Sequence, residues 1–134
     1  MFDLTGKVAL VTGSGRGIGA GIARSLSAQG ATLVINDFFP ERAQAMAQEL
    51  RDSGAKAVAV AFDVSDREAV KTGMQAITTA VGAIDILVAN VGTLPNGQVP
   101  IAFMDMPEEE WAEHLDNSVY GTLNCIKQVV PAMK

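Results

Sequence analysis

The sequence predicts an α/β fold, a doubly wound parallel sheet covered by helices. Four apolar runs of strand length alternate with four stretches of helical character in 134 residues, without an internal repeat. Such alternation favours parallel pairing through right-handed crossovers. The first run then breaks into glycines at every second position, Gly13, Gly15, Gly17 and Gly19, and passes directly into a helix. At 49% hydrophobic, the chain has the apolar surface for one buried core.

Taken in order, the first strand is read as Lys7 to Thr12 and the first helix as Ile18 to Gln29, with Ile18, Ile22 and Leu26 as its apolar stripe and Gly30 as its end cap. Small residues Gly19, Ala20, Gly21 and Ala23 let this helix approach the sheet closely. Ala31 to Asn36, an unbroken apolar run suited to burial on both faces, is the second strand and ends at Asp37. Pro40 opens a helix that runs through Glu41 to Arg51, and Asp52-Ser53-Gly54 turns the chain. The third strand, Ala57 to Phe62, ends at Asp63-Val64. Ser65-Asp66-Arg67-Glu68 matches a capping box, with Ser65 as cap of a helix reaching Val81. Ile84 to Ala89 is the fourth strand, followed by Asn90-Val91-Gly92. Residues 93–106, with Pro95, Asn96-Gly97 and Pro100, read as a loop. Pro107 with Glu108, Glu109 and Glu110 opens a last helix. Leu115, Val119, Leu123, Ile126 and Val130 carry helical spacing to the end.

Several function classes are disfavoured by composition. A net charge of -5 without clustered Lys or Arg is a poor footprint for nucleic acid. One Cys and one His leave no disulfide framework and no zinc site, so no metal is expected. His114 is read as a surface residue and Cys125 as a small buried hydrophobe. No run approaches the roughly 20 apolar residues of a membrane span. Met1 to Lys7 lacks a basic leader and an apolar signal core, and a cytoplasmic location is expected.

The glycine-rich junction carries the chemistry. An apolar strand, a turn too crowded for side chains and a helix start aiming bare N–H groups outward form an anion site for a pyrophosphate. Asp37 lies 37 - 17 = 20 positions past Gly17, where a carboxylate accepts from both hydroxyls of an adenosine ribose. Phe38 follows it at the same strand end. The same carboxylate opposes a 2′-phosphate, and although Arg16 would attract one, the sequence favours NAD over NADP. Read structurally instead, the glycines are a tight strand-to-helix turn, Asp37 is a turn or helix cap, and Asp63 caps the helix near Ser65.

The loop fits Gly15-x-Gly17-x-x-Ala20 and also the wider Thr12-Gly13-x-x-x-Gly17-x-Gly19. The wider spacing resembles the short-chain dehydrogenase/reductase family. Asp63-Val64, Asn90-Val91-Gly92, Glu109-Glu110-Trp111 with Gly121, and Pro131-Ala132-Met133 continue the resemblance along essentially the whole chain. The resemblance implies a Rossmann-type sheet of order 3-2-1-4 and interconversion of a secondary alcohol and a ketone. It implies pyrophosphate binding by Gly13, Gly15, Arg16, Gly17, Ile18 and Gly19, ribose binding by Asp37 with Phe38, adenine binding by Asp63 and Val64, and inner-ribose binding by Asn90, Val91 and Gly92. It further implies a homo-oligomer, dimer or tetramer, in which the helix from Asp116 to Met133 meets its copy.

The chain departs from the family at the catalytic residues. The family uses Tyr-x-x-x-Lys, a Ser and an Asn; the sole tyrosine here is Tyr120, and Asn124 stands four residues later. The chain resembles the N-terminal half of a member, one dinucleotide-binding domain over 1–134 ending before that segment and expected to be inactive alone. The family Asn lies seven positions after the Trp, which is Ser118, so Ser118 is the catalytic candidate and Asn117 is one position early. Ala89 and Val91 also replace signature residues. Thr93 and Leu94 are specificity candidates in a loop longer than the family's. A different reading makes the chain a nucleotide-binding module or an inactive fragment.

Overall fold

A computed structural model describes residues 2–92 and 102–133. Thr93 and Leu94, and most of the expected loop around them, lie outside the described residues. Four strands, β1 (Val8–Val11), β2 (Thr32–Ile35), β3 (Ala57–Ala59) and β4 (Ile86–Val88), form one parallel sheet of order β3-β2-β1-β4, the 3-2-1-4 order of the Rossmann-type fold. Each strand is shorter than its apolar run, although single backbone bonds such as Asp85 N–H to the Val8 carbonyl (2.9 Å) and Val60 N–H to the Ile35 carbonyl (3.0 Å) continue past the strand ends. Ile84, for example, is buried but unpaired in the ladder.

Alternation along β1 and β2 divides the core between the two faces. Ala9, Val11, Leu33 and Ile35 pack against α1 (Gly17–Ala28) and α2 (Pro40–Asp52), while Val8, Leu10 and Val34 pack against α3 (Arg67–Val81) and α5 (Gly121–Val129). Both faces are buried, as the unbroken apolar runs require.

The contact face of α1 differs from expectation. Ile18 is 79% exposed and Ile22 and Leu26 are half-buried, while Gly19, Ala20 and Ala23 are the buried residues. The helix lies so close to the sheet that only small residues fit between, and the larger ones move to its flanks. Its end is closed as expected at Gly30: Gly30 N–H donates to the Ser27 carbonyl (2.9 Å) and Ala31 N–H to Leu26 (3.3 Å), a Schellman pattern.

Two helix starts are corrected. Asp66, rather than Ser65, caps α3: its Oδ1 accepts from the Glu68 and Ala69 N–H groups at 2.9 and 3.1 Å. The Ser65 hydroxyl turns back to donate to Asp63 Oδ1 (2.7 Å), which takes it away from the helix. Pro107 stands before a 3-10 turn, Glu108–Glu110, and α4 starts only at Trp111. A further 3-10 turn, Phe103–Asp105, occupies part of the expected loop.

The final helix is not uniform. A π turn, Asp116–Tyr120, joins α4 (Trp111–Leu115) to α5. His114 is half-buried instead of lying on the surface. Among the described residues, no helix is long and apolar enough to cross a membrane.

Candidate dinucleotide cleft

The site lies at the carboxyl ends of β1, β2 and β4, where open parallel sheets bind ligands. At its floor the chain replaces the ladder with side-chain bonds. Thr12 Oγ1 accepts the Asn90 N–H at 3.0 Å, and Asn90 Nδ2 donates to the carbonyls of Thr12 (3.1 Å) and Gly13 (3.2 Å). Ser14, fully buried, donates its hydroxyl to the Val11 carbonyl at 2.6 Å and its N–H to the Asn36 carbonyl at 2.7 Å. Asn36 Nδ2 donates to the carbonyls of Val60 and Phe62, both at 3.2 Å, and its Oδ1 accepts the Gly13 N–H at 3.4 Å. The loop is thereby tied to the ends of β2, β3 and β4.

Above this floor, backbone approaches backbone. A Cβ at Gly19 would stand 2.5 Å from the Gly13 carbonyl oxygen, and one at Gly15 would stand 2.6 Å from Asp37 Oδ2. Gly17 opens α1 at φ +58°, a left-handed conformation, and a Cβ there would meet nothing within 4 Å, so that side of the loop is open. Among the described residues no side chain caps α1, and its first turn holds no acid, which leaves the positive end of the helix for an anion. Gly17 and Ile18 are exposed at this end and Gly19 is buried.

Asp37, 6% exposed, closes one side of the cleft. Its Oδ2 accepts the Gly15 N–H at 3.2 Å and its Oδ1 the Phe39 N–H at 3.1 Å, so two backbone donors fix the carboxylate, with no ion pair to it among the described residues. Each oxygen keeps acceptor capacity for a ligand hydroxyl. Phe38 is half-exposed and edge-on to Phe39, and the Arg42 guanidinium lies 4.2 Å from the Phe39 ring centre. With Arg16, which also lines the cleft, this end presents one carboxylate and two guanidinium groups.

Across the cleft stand Asp63 and Val64. Asp63 Oδ1 accepts from both the N–H (2.9 Å) and the hydroxyl (2.7 Å) of Ser65, so it braces the turn before α3 and does not cap that helix, which Asp66 does. Asn124 Nδ2 donates to the Val64 carbonyl at 3.0 Å and holds α5 against this turn. Asn90, Val91 and Gly92 line the remaining wall.

Gly13, Arg16, Asp37, Phe38, Asp63, Val64 and the Asn90 to Gly92 segment therefore share one cleft. Gly15, Gly17, Ile18 and Gly19 are not among its lining residues; they continue the loop and α1 on either side of Arg16, which is. Ser118 is half-buried and is not among the lining residues; its neighbour Asn117 is. Sequence reasoning also missed Asn36, Phe62 and Arg42. A polar residue closing an apolar run was a visible signal for Asn36. Nothing local marked Phe62 or Arg42, which reach the cleft only through the fold. The residues present fit a dinucleotide: a glycine cradle without Cβ atoms, an uncapped helix start and a fixed carboxylate.

The chain matches the family described as short chain dehydrogenase over residues 7–134. The oxidoreductase UcpA of Escherichia coli is 39% identical over 133 residues, 99% of this chain and 49% of that protein. The 3-oxoacyl-(acyl-carrier-protein) reductase FabG of Staphylococcus aureus is 34% identical over 128 residues, 95% of this chain and 50% of that protein. A gluconate 5-dehydrogenase from Burkholderia cenocepacia, solved in complex with NADP and tartrate, superposes with a TM-score of 0.87 at 37% identity over 98% of this chain and 50% of its own. A hydroxysteroid dehydrogenase from Escherichia coli superposes with a TM-score of 0.86 at 30% identity, covering 98% of this chain and 54% of its own. The chain spans about half the length of the curated relatives it matches. On this match, with the sheet order and the glycine cradle, the chain belongs to the short-chain dehydrogenase/reductase family.

Proposed function

We propose that residues 1–134 form the dinucleotide-binding part of an oxidoreductase that moves hydride between NAD and a secondary alcohol or ketone. One observation carries the reading: an uncapped, acid-free α1 start faces the same cleft as Asp37, whose two oxygens are oriented by Gly15 and Phe39. Gly13, Arg16, Gly17, Ile18 and Gly19 hold the pyrophosphate, with Gly15 giving room. Asp37 accepts from the adenosine ribose beside Phe38, Asp63 and Val64 hold the adenine, and Asn90 to Gly92 hold the inner ribose. The bound cofactor supplies the hydride acceptor or donor; the residues here bind and orient it.

A second reading, NADP, is favoured by the guanidinium groups of Arg16 and Arg42 at the same end of the cleft. Asp37 outweighs them because the Gly15 and Phe39 N–H groups hold its carboxylate in the cleft, where it repels a 2′-phosphate.

The proton chemistry lies outside what these residues supply, since no Tyr-x-x-x-Lys occurs in them. We assign it to further sequence of a longer protein and, through the family resemblance alone, assign Ser118 to the relay position. Leu123, Val119 and Val130 of the last helix are about half-exposed, which supports packing against a second copy. The test is a screen of the longer protein that carries these residues with NAD or NADP and a panel of secondary alcohols, reading reduced nicotinamide by absorbance. NAD-dependent turnover supports the enzyme. Tight dinucleotide binding without turnover on any alcohol or ketone supports a nucleotide-binding module.

A further inference from the structure

We propose that Asn117 reads the purine of the bound dinucleotide, accepting from the exocyclic amino group of adenine and excluding a base with an oxo group there. The inference rests on the dinucleotide reading above and adds a base-selecting residue to it.

Asn117, Gly121, Cys125 and Val129 recur every four residues and are all buried, so they form the stripe of the last helix that faces the sheet. Asn117 is the member of that stripe at the cleft. Its place beside Asp63 and Val64 follows from the rest of the stripe: a Cβ on Gly121 would stand 2.7 Å from Val64 Cγ2, and Asn124 holds the Val64 carbonyl at 3.0 Å. The residue is 6% exposed, yet it lines the cleft. It also sits in the π turn, a rare helical form often found at functional sites.

The amide's direction is fixed. Asn117 Nδ2 donates to the Glu113 carbonyl at 3.0 Å, and a carbonyl only accepts, so the oxygen must point the other way. Among the described residues no donor reaches that oxygen. That oxygen is not one of the buried side-chain atoms sealed off without a partner, and Asn117 lines the cleft, so a ligand donor can reach it there. Asp63 stands at the same end with Oδ1 already taken by Ser65, so the side chains there present acceptors, the carboxylate and the Asn117 oxygen. An amino group brings two hydrogens to them. An oxo group brings a third acceptor, and the amide cannot turn to greet it without giving up Glu113.

The experiment titrates the purified protein with NAD and with nicotinamide hypoxanthine dinucleotide, in which the amino group is replaced by oxo. It compares the unaltered protein with Asn117→Val and Asn117→Ser, with thermal unfolding of the free forms as a folding control. NAD should bind more tightly to the unaltered protein, and each substitution should compress that preference about fivefold, the equivalent of one neutral hydrogen bond. Ser is small and polar and keeps the test available if the Val variant does not fold. If both variants weaken the two ligands equally, Asn117 is structural and the proposal is overturned. If the unaltered protein binds neither dinucleotide, the dinucleotide reading itself fails, an outcome distinct from the first.

Discussion

Gly15 donates its backbone N–H to Asp37 Oδ2 across 3.2 Å, which makes the glycine loop and the acid at the end of β2 one structural unit. The loop sets the carboxylate, and the carboxylate in turn holds the loop. A Cβ at Gly15 would fall 2.6 Å from that oxygen, so the two positions cannot be varied independently.

Gly19 and Gly21 should respond oppositely to alanine. Gly19→Ala places a methyl 2.5 Å from a carbonyl oxygen that cannot swing away, and should destabilise the protein by about 1–3 kcal/mol, as overpacking does. Gly21 is exposed inside α1 with nothing within 4 Å of the added Cβ. Gly21→Ala should stabilise by about 0.5–1 kcal/mol through helix propensity. Urea unfolding of both variants checks the pair.

Removing the Asn36 side chain should be costly. Asn36→Leu leaves the carbonyls of Val60 and Phe62 and the Gly13 N–H without their partner in a buried setting, and should cost about 2–3 kcal/mol. Since Gly13 belongs to the phosphate loop, dinucleotide affinity should fall as well. Denaturant unfolding and a nucleotide titration read the two effects separately.

Cys125 gives a pH signature. Burial against Leu10 and its neighbours raises the thiol from its ordinary 9.0 to about 11. The folded value is raised, so the neutral thiol's contribution is fully present below pH 9.0 and is lost as pH rises through about 11. Stability should therefore decline across that window more steeply than in Cys125→Ala. In the folded protein the thiol should resist alkylation until denaturant exposes it.

Much of this was legible in the sequence because the signals were local. The runs now seen as β1 and β2 are apolar at every position, and burial on both faces follows from that. The 20 positions from Gly17 to Asp37 relate the loop to the acid at the end of β2, and in the structure the two meet through the Gly15 N–H and Asp37 Oδ2. What stayed hidden depended on competition or on distance. Ser65 and Asp66 both make good helix caps, and only the pull of Asp63 on Ser65 decides between them. Of the α1 stripe read as Ile18, Ile22 and Leu26, the last two pack at the edge of the core and Ile18 is exposed, while the buried places go to Gly19, Ala20 and Ala23, which periodicity weighted by size passes over. The π turn has no local signature, so the inward place of Asn117 and the half-buried place of Ser118 emerged only with the last helix laid against Val64.

The most direct measurement of the central claim is a calorimetric titration of the protein and of Asp37→Ala with NAD and NADP. The account predicts that NAD binds the unaltered protein more tightly than NADP. Asp37→Ala should weaken NAD by about tenfold or more, the scale of a hydrogen bond to a charged group, and narrow the gap to NADP. An unaltered preference after Asp37→Ala, or NADP binding more tightly from the start, would contradict it.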